Sequence, residues 1–195
     1  RADILGSGGN GITIQDEGSN ENTIQECTSG SDAIDYNITQ ALKPNRGYGI
    51  VVQNKASGTV LSNITLGANF LGSILVDESR PVSQDQEYST LIADTKIFIE
   101  SAASPLILSD TDYARQERFA LHITNSSRVH VINSNLGLGT YGLVIDGENS
   151  SEHFISECTI TGASRCIRVE KSSDDTLIDV NAVNGKGNGI ELIQT

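Results

Sequence analysis

The 195-residue chain has no methionine, no tryptophan, three prolines and three cysteines, and aromatic residues make up only 5 % of it. Five tyrosines and four phenylalanines leave little from which to build a deep aromatic sugar-binding cleft. Basic residues are also scarce, 13 against 25 acidic ones, for a net charge of −12. With no basic surplus to displace counterions from a phosphate backbone, no nucleic-acid partner is expected. No apolar run approaches the roughly 18 to 20 residues of a spanning helix, and the first residues lack the charged-then-apolar pattern of a signal peptide. No membrane span is therefore expected. The missing initiator methionine and the opening Arg1-Ala2-Asp3-Ile4 fit a processed product or a piece of something longer. Cys27, Cys158 and Cys166 cannot all pair within one chain and form no C-x-x-C spacing, so small buried core residues are the ordinary expectation. A Cys158 to Cys166 bridge stays open.

What the chain does contain is 22 isoleucines, 22 serines, 19 glycines, 15 asparagines and 15 threonines. That mixture describes short β-branched strands separated by turn residues, and hence an all-β protein. One phrase, a small or polar residue followed by apolar-x-apolar and a polar turn, recurs along the chain. It reads Gly11-Ile12-Thr13-Ile14-Gln15, Gly49-Ile50-Val51-Val52-Gln53, Ser73-Ile74-Leu75-Val76-Asp77 and Ala120-Leu121-His122-Ile123-Thr124. It continues as Gly142-Leu143-Val144-Ile145-Asp146, Cys166-Ile167-Arg168-Val169-Glu170 and Gly189-Ile190-Glu191-Leu192-Ile193. Taking the first apolar residue of each phrase as a marker, the steps are 38, 24, 47, 22, 24 and 23 residues. The 38 reads as one unit plus an insertion, and the 47 as close to two units.

A weaker phrase follows each marker, as in Asn22-Thr23-Ile24, Ser62-Asn63-Ile64, Arg128-Val129-His130-Val131, Phe154-Ile155 and Leu177-Ile178. Strands of four or five residues cannot bury a face as isolated hairpins. Units stacked at the interstrand spacing of about 4.8 Å can, by laying the inward apolar residues of each on those of the next. In these repeated phrases, from about Gly11 to Ile193, the sequence resembles the right-handed parallel β-helix superfamily of pectin-lyase-like enzymes, carbohydrate-binding and sugar-hydrolase repeats and phage tailspikes. The resemblance implies one single-stranded β-helix domain over residues 1–195, a solenoid with rungs of about 22–24 residues. Irregular insertions fall near 30–47 and 78–118. The second is long enough for a further rung with strands at Leu91-Ile92, Ile97-Phe98-Ile99 and Leu106-Ile107-Leu108, and its charged end, Ser109 to Arg118, would be exposed.

If each marker points inward, the residues one and three places on point outward and stack in two columns. The first is Thr13, Val51, Leu75, His122, Val144, Arg168 and Glu191; the second is Gln15, Gln53, Asp77, Thr124, Asp146, Glu170 and Ile193. Asp146 and Glu170 would sit one rung apart, about 5 Å, and Asp77 at least two rungs from Asp146, roughly 10 Å or more. Paired carboxylates suit glycoside hydrolysis, with Asp146, Glu170 and Asp77 as catalytic candidates and His122, Arg168, Thr124 and Tyr141 as substrate-binding ones. Acidic outward columns equally keep a solenoid face wet. Arg168 between two acids resembles part of a polyuronate-eliminating site, though such sites need a denser set of charges.

The histidines His122, His130 and His153 have no metal-ligand spacing and read as surface residues, so no metal site is expected. No cofactor is expected either, with calcium left open under the elimination reading. Gly6-Ser7-Gly8-Gly9-Asn10-Gly11 occurs once and lacks the aspartate of calcium-binding repeats, and no phosphate-binding loop is present. Sequons begin at Asn37, Asn63, Asn125 and Asn149, while Asn54 and Asn125, four residues past a marker, suit a left-handed turn. The resemblance implies an extracellular protein of a virion or cell surface, a tailspike-like shaft that binds polysaccharide or a cell-surface glycan. A polysaccharide-degrading hydrolase, lyase or epimerase and a purely structural or adhesive shaft are the alternatives. Neither end looks like a cap, so more chain, or a homotrimer or other homo-oligomer, is expected to cover the open ends.

Overall fold

A computed structural model describes residues 2–4, 6–16, 19, 21–30, 45–56, 58–67, 69, 71–78, 90–97, 119–183 and 187–194. In chain order the strands are β1 (Ala2–Ile4), β2 (Ile12–Gln15), β3 (Thr23–Gln25), β4 (Cys27–Ser29), β5 (Tyr48–Gln53), β6 (Thr59–Ser62) and β7 (Thr65–Leu66). There follow β8 (Gly72–Asp77), β9 (Thr90–Ala93), β10 (Lys96–Ile97), β11 (Phe119–Thr124), β12 (Val129–Ile132) and β13 (Asn135–Asp146). The remainder are β14 (Ser150–Ser151), β15 (Phe154–Ser156), β16 (Thr159–Glu170), β17 (Ser172–Ser173), β18 (Thr176–Ile178), β19 (Asn181–Val183) and β20 (Ile190–Ile193). The described residues are all-β, in long parallel sheets, and among them no helix is long and apolar enough to cross a membrane.

Pairing joins equivalent strands of successive repeats. One row runs β2, β5, β8, β11, the end of β13, the end of β16 and β20, with Ile12, Ile50, Ile74, Leu121, Leu143, Ile167 and Ile190 in register. These are the sequence markers. A second row runs β3, β6, β9, β12, β15 and β18, and a third runs β1, β4, β7, β10 and the beginnings of β13 and β16, then β19. In β13 and β16 the third and first rows merge through register shifts near Gly139, which let one strand bend from row to row.

The pattern of inward side chains explains the stacking. Ile50, Val52, Ile74, Val76, Leu121, Ile123, Leu143, Ile145 and Ile167 of the first row are fully buried. They form one continuous cluster with Leu61, Ile92, Val131 and Ile155 of the second row and Leu66, Leu136 and Ile160 of the third. Each such side chain removed from water contributes about 1.5–3 kcal/mol, so a repeat holds through burial against its neighbours. At β20 the same positions, Ile190 and Leu192, are 49 % and 63 % exposed.

Turns repeat as regularly as strands. Asn63, Asp94, Asn133 and Glu157 have φ of 49°, 50°, 46° and 53°, and each donates its N–H to a carbonyl of the following repeat. Asn54 and Asn125 take left-handed φ of 54° and 45°, as their place after the markers predicts. Inside, the Asn45 amide donates to Asn69 Oδ1 at 2.9 Å and Ser29 Oγ at 3.1 Å, satisfying polar groups that burial would otherwise orphan.

Several sequence expectations change. The direct pairing of β8 with β11 leaves no strand between them, so the 47-residue step is one repeat with an insertion rather than two. Leu91-Ile92 and Ile97 lie in β9 and β10 of that same repeat, whereas Phe98, Ile99, Leu106 to Leu108, Ser109 to Arg118, the Asn37 sequon and most of both insertions lie outside the described residues. In Ser62-Asn63-Ile64 only Ser62 is strand; Leu61 takes the second-row core position and Asn63 is the turn. All three cysteines are buried thiols, so no Cys158 to Cys166 bridge forms. Cys158 Sγ points to the Ser156 carbonyl at 3.1 Å and Cys166 Sγ to the Val183 carbonyl at 3.3 Å, each holding a separate corner of the core.

Candidate polar face on the first row

The outward columns stand in the register that the repeat predicts. Thr13, Val51, Leu75, His122, Val144, Arg168 and Glu191 are successive partners, and so are Thr124 with Asp146 and Glu170 with Ile193. Not all of this column meets solvent: Val51 is 1 % and Val144 4 % exposed. Val144 is short and stands between the longer His122 and Arg168 on the neighbouring strands, which shield it.

A third outward line lies two residues before each marker, as Tyr48, Gly72, Phe119, Tyr141 and Arg165. Strict alternation would send these residues inward. Ala120 and Leu121 are instead both fully buried, so two consecutive residues face the core and Phe119 is returned to the outer side, its ring 4.7 Å from that of His122. The inward place before the marker takes only small residues, Gly49, Ser73, Ala120, Gly142 and Cys166. A Cβ on Gly49 would lie 2.8 Å from Asn69 Nδ2 and 2.9 Å from Leu66 Cδ2.

On this face two arginines and a histidine meet three carboxylates. His122 Nε2 lies 3.0 Å from Asp146 Oδ2, reaching diagonally between the columns. Arg168 Nη2 donates to Glu170 Oε2 at 2.5 Å, and Arg165 Nε forms an ion pair with Glu191 at 2.9 Å. Burial pushes the Asp146 carboxyl upward. Hydrogen bonds from His122 and Thr124, with the charges of His122 and Arg168, outweigh burial and hold it below the usual aspartate value. Partial burial lowers the Arg168 pKa, but the Glu170 carboxylate and the Tyr141 hydroxyl raise it on balance, so the guanidinium stays charged. Burial, and then the Asp146 charge, push the Tyr48 phenol up.

Asp146 and Glu170 also line a cleft of about 410 Å³ with Asn125, Gly147, Glu148, Asn149 and Lys171, at the turn that follows the strands. The cleft offers amide and ammonium donors beside carboxylate acceptors. Among the described residues no group of three or more His, Cys, Asp or Glu is arranged to hold a metal ion.

The structure therefore brings together Asp146, Glu170, His122, Arg168 and Thr124. It leaves Asp77 apart: β8 and β13 are separated by β11, so the two aspartates stand about 10 Å from each other. Tyr141, a substrate-binding candidate, has no ring face open to a sugar. It is 4 % exposed, with Phe119 stacked at 5.6 Å and the Arg165 guanidinium 5.8 Å from its ring centroid, so both neighbours occupy its surface. Its hydroxyl accepts from Arg165 Nη1 at 3.0 Å, which makes Tyr141 a positioning residue. His153, expected at the surface, is 1 % exposed, because it occupies an inward place at the turn before β15. Phe119 and Arg165 are new members of the face, and the signal for them was the line two residues before the marker.

No family model matches the chain, and no curated protein matches it. Among solved structures, the Streptococcus pneumoniae surface protein and adhesin PfbA is similar over 95 % of this chain, at 10 % identity and a TM-score of 0.22. The chain spans 63 % of the length of that structure.

Proposed function

We propose that the chain is a right-handed parallel β-helix of an extracellular or cell-surface protein whose first-row face binds polysaccharide without cleaving it. The observation that carries this reading is the pairing of both candidate carboxylates with basic side chains, Asp146 with His122 and Glu170 with Arg168, beside a polar cleft. Carboxylates held in place by a hydrogen-bonding side chain keep lone pairs for sugar hydroxyls, and the neighbouring amides and ammonium supply donors. Glycoside hydrolysis needs one carboxylic acid kept protonated to meet the leaving oxygen. Asp146, with its pKa lowered, is not suited to be that acid.

The test is affinity electrophoresis through immobilised polysaccharides, with new reducing ends measured in parallel. Retention without release is expected. Asp146→Asn removes the charged acceptor and loosens His122, which weakens binding about 10- to 100-fold for a charge-assisted hydrogen bond of about 1.5–3 kcal/mol. Release of reducing ends that disappears in Asp146→Asn would replace this reading with a hydrolase.

A further inference from the structure

We infer that the ligand of this face is an uncharged polysaccharide lying across the strands, several repeats at a time. The inference rests on the binding reading above and concerns what that face selects. An anionic glycan is held by guanidinium or ammonium groups with free donors facing the ligand. Here Arg168 is engaged by Glu170, Arg165 by Glu191 and the Tyr141 hydroxyl, and His122 by Asp146. Arg168, Arg165 and His122 thus each face a carboxylate of their own. The adjoining cleft is lined by three carboxylates, Asp146, Glu148 and Glu170, and one ammonium, Lys171, and the whole chain carries a net charge of −12. A uronate or sulfate group arriving here would meet carboxylates already placed and arginines already committed, and breaking a pair to bind it would expose an unpaired acid.

A neutral sugar meets the reverse situation. Vicinal hydroxyls both donate and accept, and the face and its cleft present acceptors (Asp146, Glu170) beside donors (Asn125, Asn149, Lys171). The direction of the polymer follows from the same geometry. The charge pairs join neighbouring strands or lie on successive ones, from β11 through β13 and β16 to β20, so the polar groups repeat along the stacking direction at about 4.8 Å, close to the length of one sugar unit. Tyr141 is sandwiched and offers no ring face, so single sugars are held weakly and affinity grows with the number of repeats engaged.

The purified chain is run against neutral polymers (glucan, mannan, galactan, xylan) and acidic ones (polygalacturonate, alginate, hyaluronan) at 50 and 300 mM NaCl, with the matching oligosaccharides of two to eight units as competitors. The expected result is retention by at least one neutral polymer and by no acidic one, little changed by salt, with competition improving by tenfold or more from the dimer to the hexamer. Retention by acidic polymers that collapses at the higher salt overturns the inference and leaves the binding reading standing. So does retention of both classes alike. Competition as strong by a dimer as by a hexamer overturns the multi-repeat geometry. Retention by no polymer in either class removes the binding reading itself, and the inference with it.

Discussion

Acidification acts on this fold through His153. Its side chain is 1 % exposed, its Nδ1 accepts the Val129 N–H at 3.2 Å, and its Nε2 makes no hydrogen bond among the described residues. Charging the ring puts a proton on Nδ1, so the Val129 bond is lost and a cation is left in the core. Burial, with a smaller contribution from His130, accordingly lowers its pKa to about 4, against about 6.5 in an unfolded chain. Between those values the unfolded chain holds a proton that the folded one refuses. Stability is therefore complete above about pH 6.5, falls as the pH drops toward 4 and levels off below it, for a loss of about 3 kcal/mol at roughly 1.4 kcal/mol per pH unit. Asp175, which accepts the His153 N–H at 3.1 Å, works the other way: burial, then the Asp174 charge, raise its carboxyl, so the folded chain takes up that proton first as the pH nears the aspartate range. The loss is thus steepest between about pH 6 and 5. Urea unfolding at pH 7, 6, 5 and 4.5 reads it directly, because 3 kcal/mol displaces the midpoint by about 1 M or more at ordinary urea slopes. His153→Gln, which keeps an acceptor for Val129 and cannot be charged, is expected to flatten the curve over this window. Parallel curves for the two proteins would refute the assignment of the loss to this ring.

Other consequences are quicker to check. Gly49→Ala drives a methyl against Asn69, Ser73 and Leu66 in a corner that has no room, for about 1–3 kcal/mol and a melting temperature several degrees lower; an unchanged melting temperature would contradict the packing. Cys27, Cys158 and Cys166 are buried thiols, so a thiol reagent is expected to react slowly with the native protein and with all three after unfolding without reductant, whereas a single reactive thiol would reveal a disulfide.

Much of this architecture is legible in the sequence because a stacked repeat writes its register into spacing. The seven markers from Ile12 to Ile190 pair as their order predicts, and the two outward columns keep their register across the unequal steps. The third row escaped because its strands are as short as Thr65–Leu66, too brief for any periodicity. Phe119 and Arg165 escaped because two successive inward residues, Ala120 and Leu121 after the first and Cys166 and Ile167 after the second, break the alternation on which a period-2 reading depends.

The apolar and turn residues by themselves determined that this is an all-β chain of parallel repeats, and which residues share a face, because burial and left-handed turns act locally and recur at each step. What each polar residue touches was decided only by the tertiary structure. His122 chooses Asp146 rather than a group in its own column, Tyr141 loses its surface to Phe119 and Arg165, and Asp77 is held apart by the strand between, because those outcomes depend on side-chain reach across strands from distant parts of the sequence.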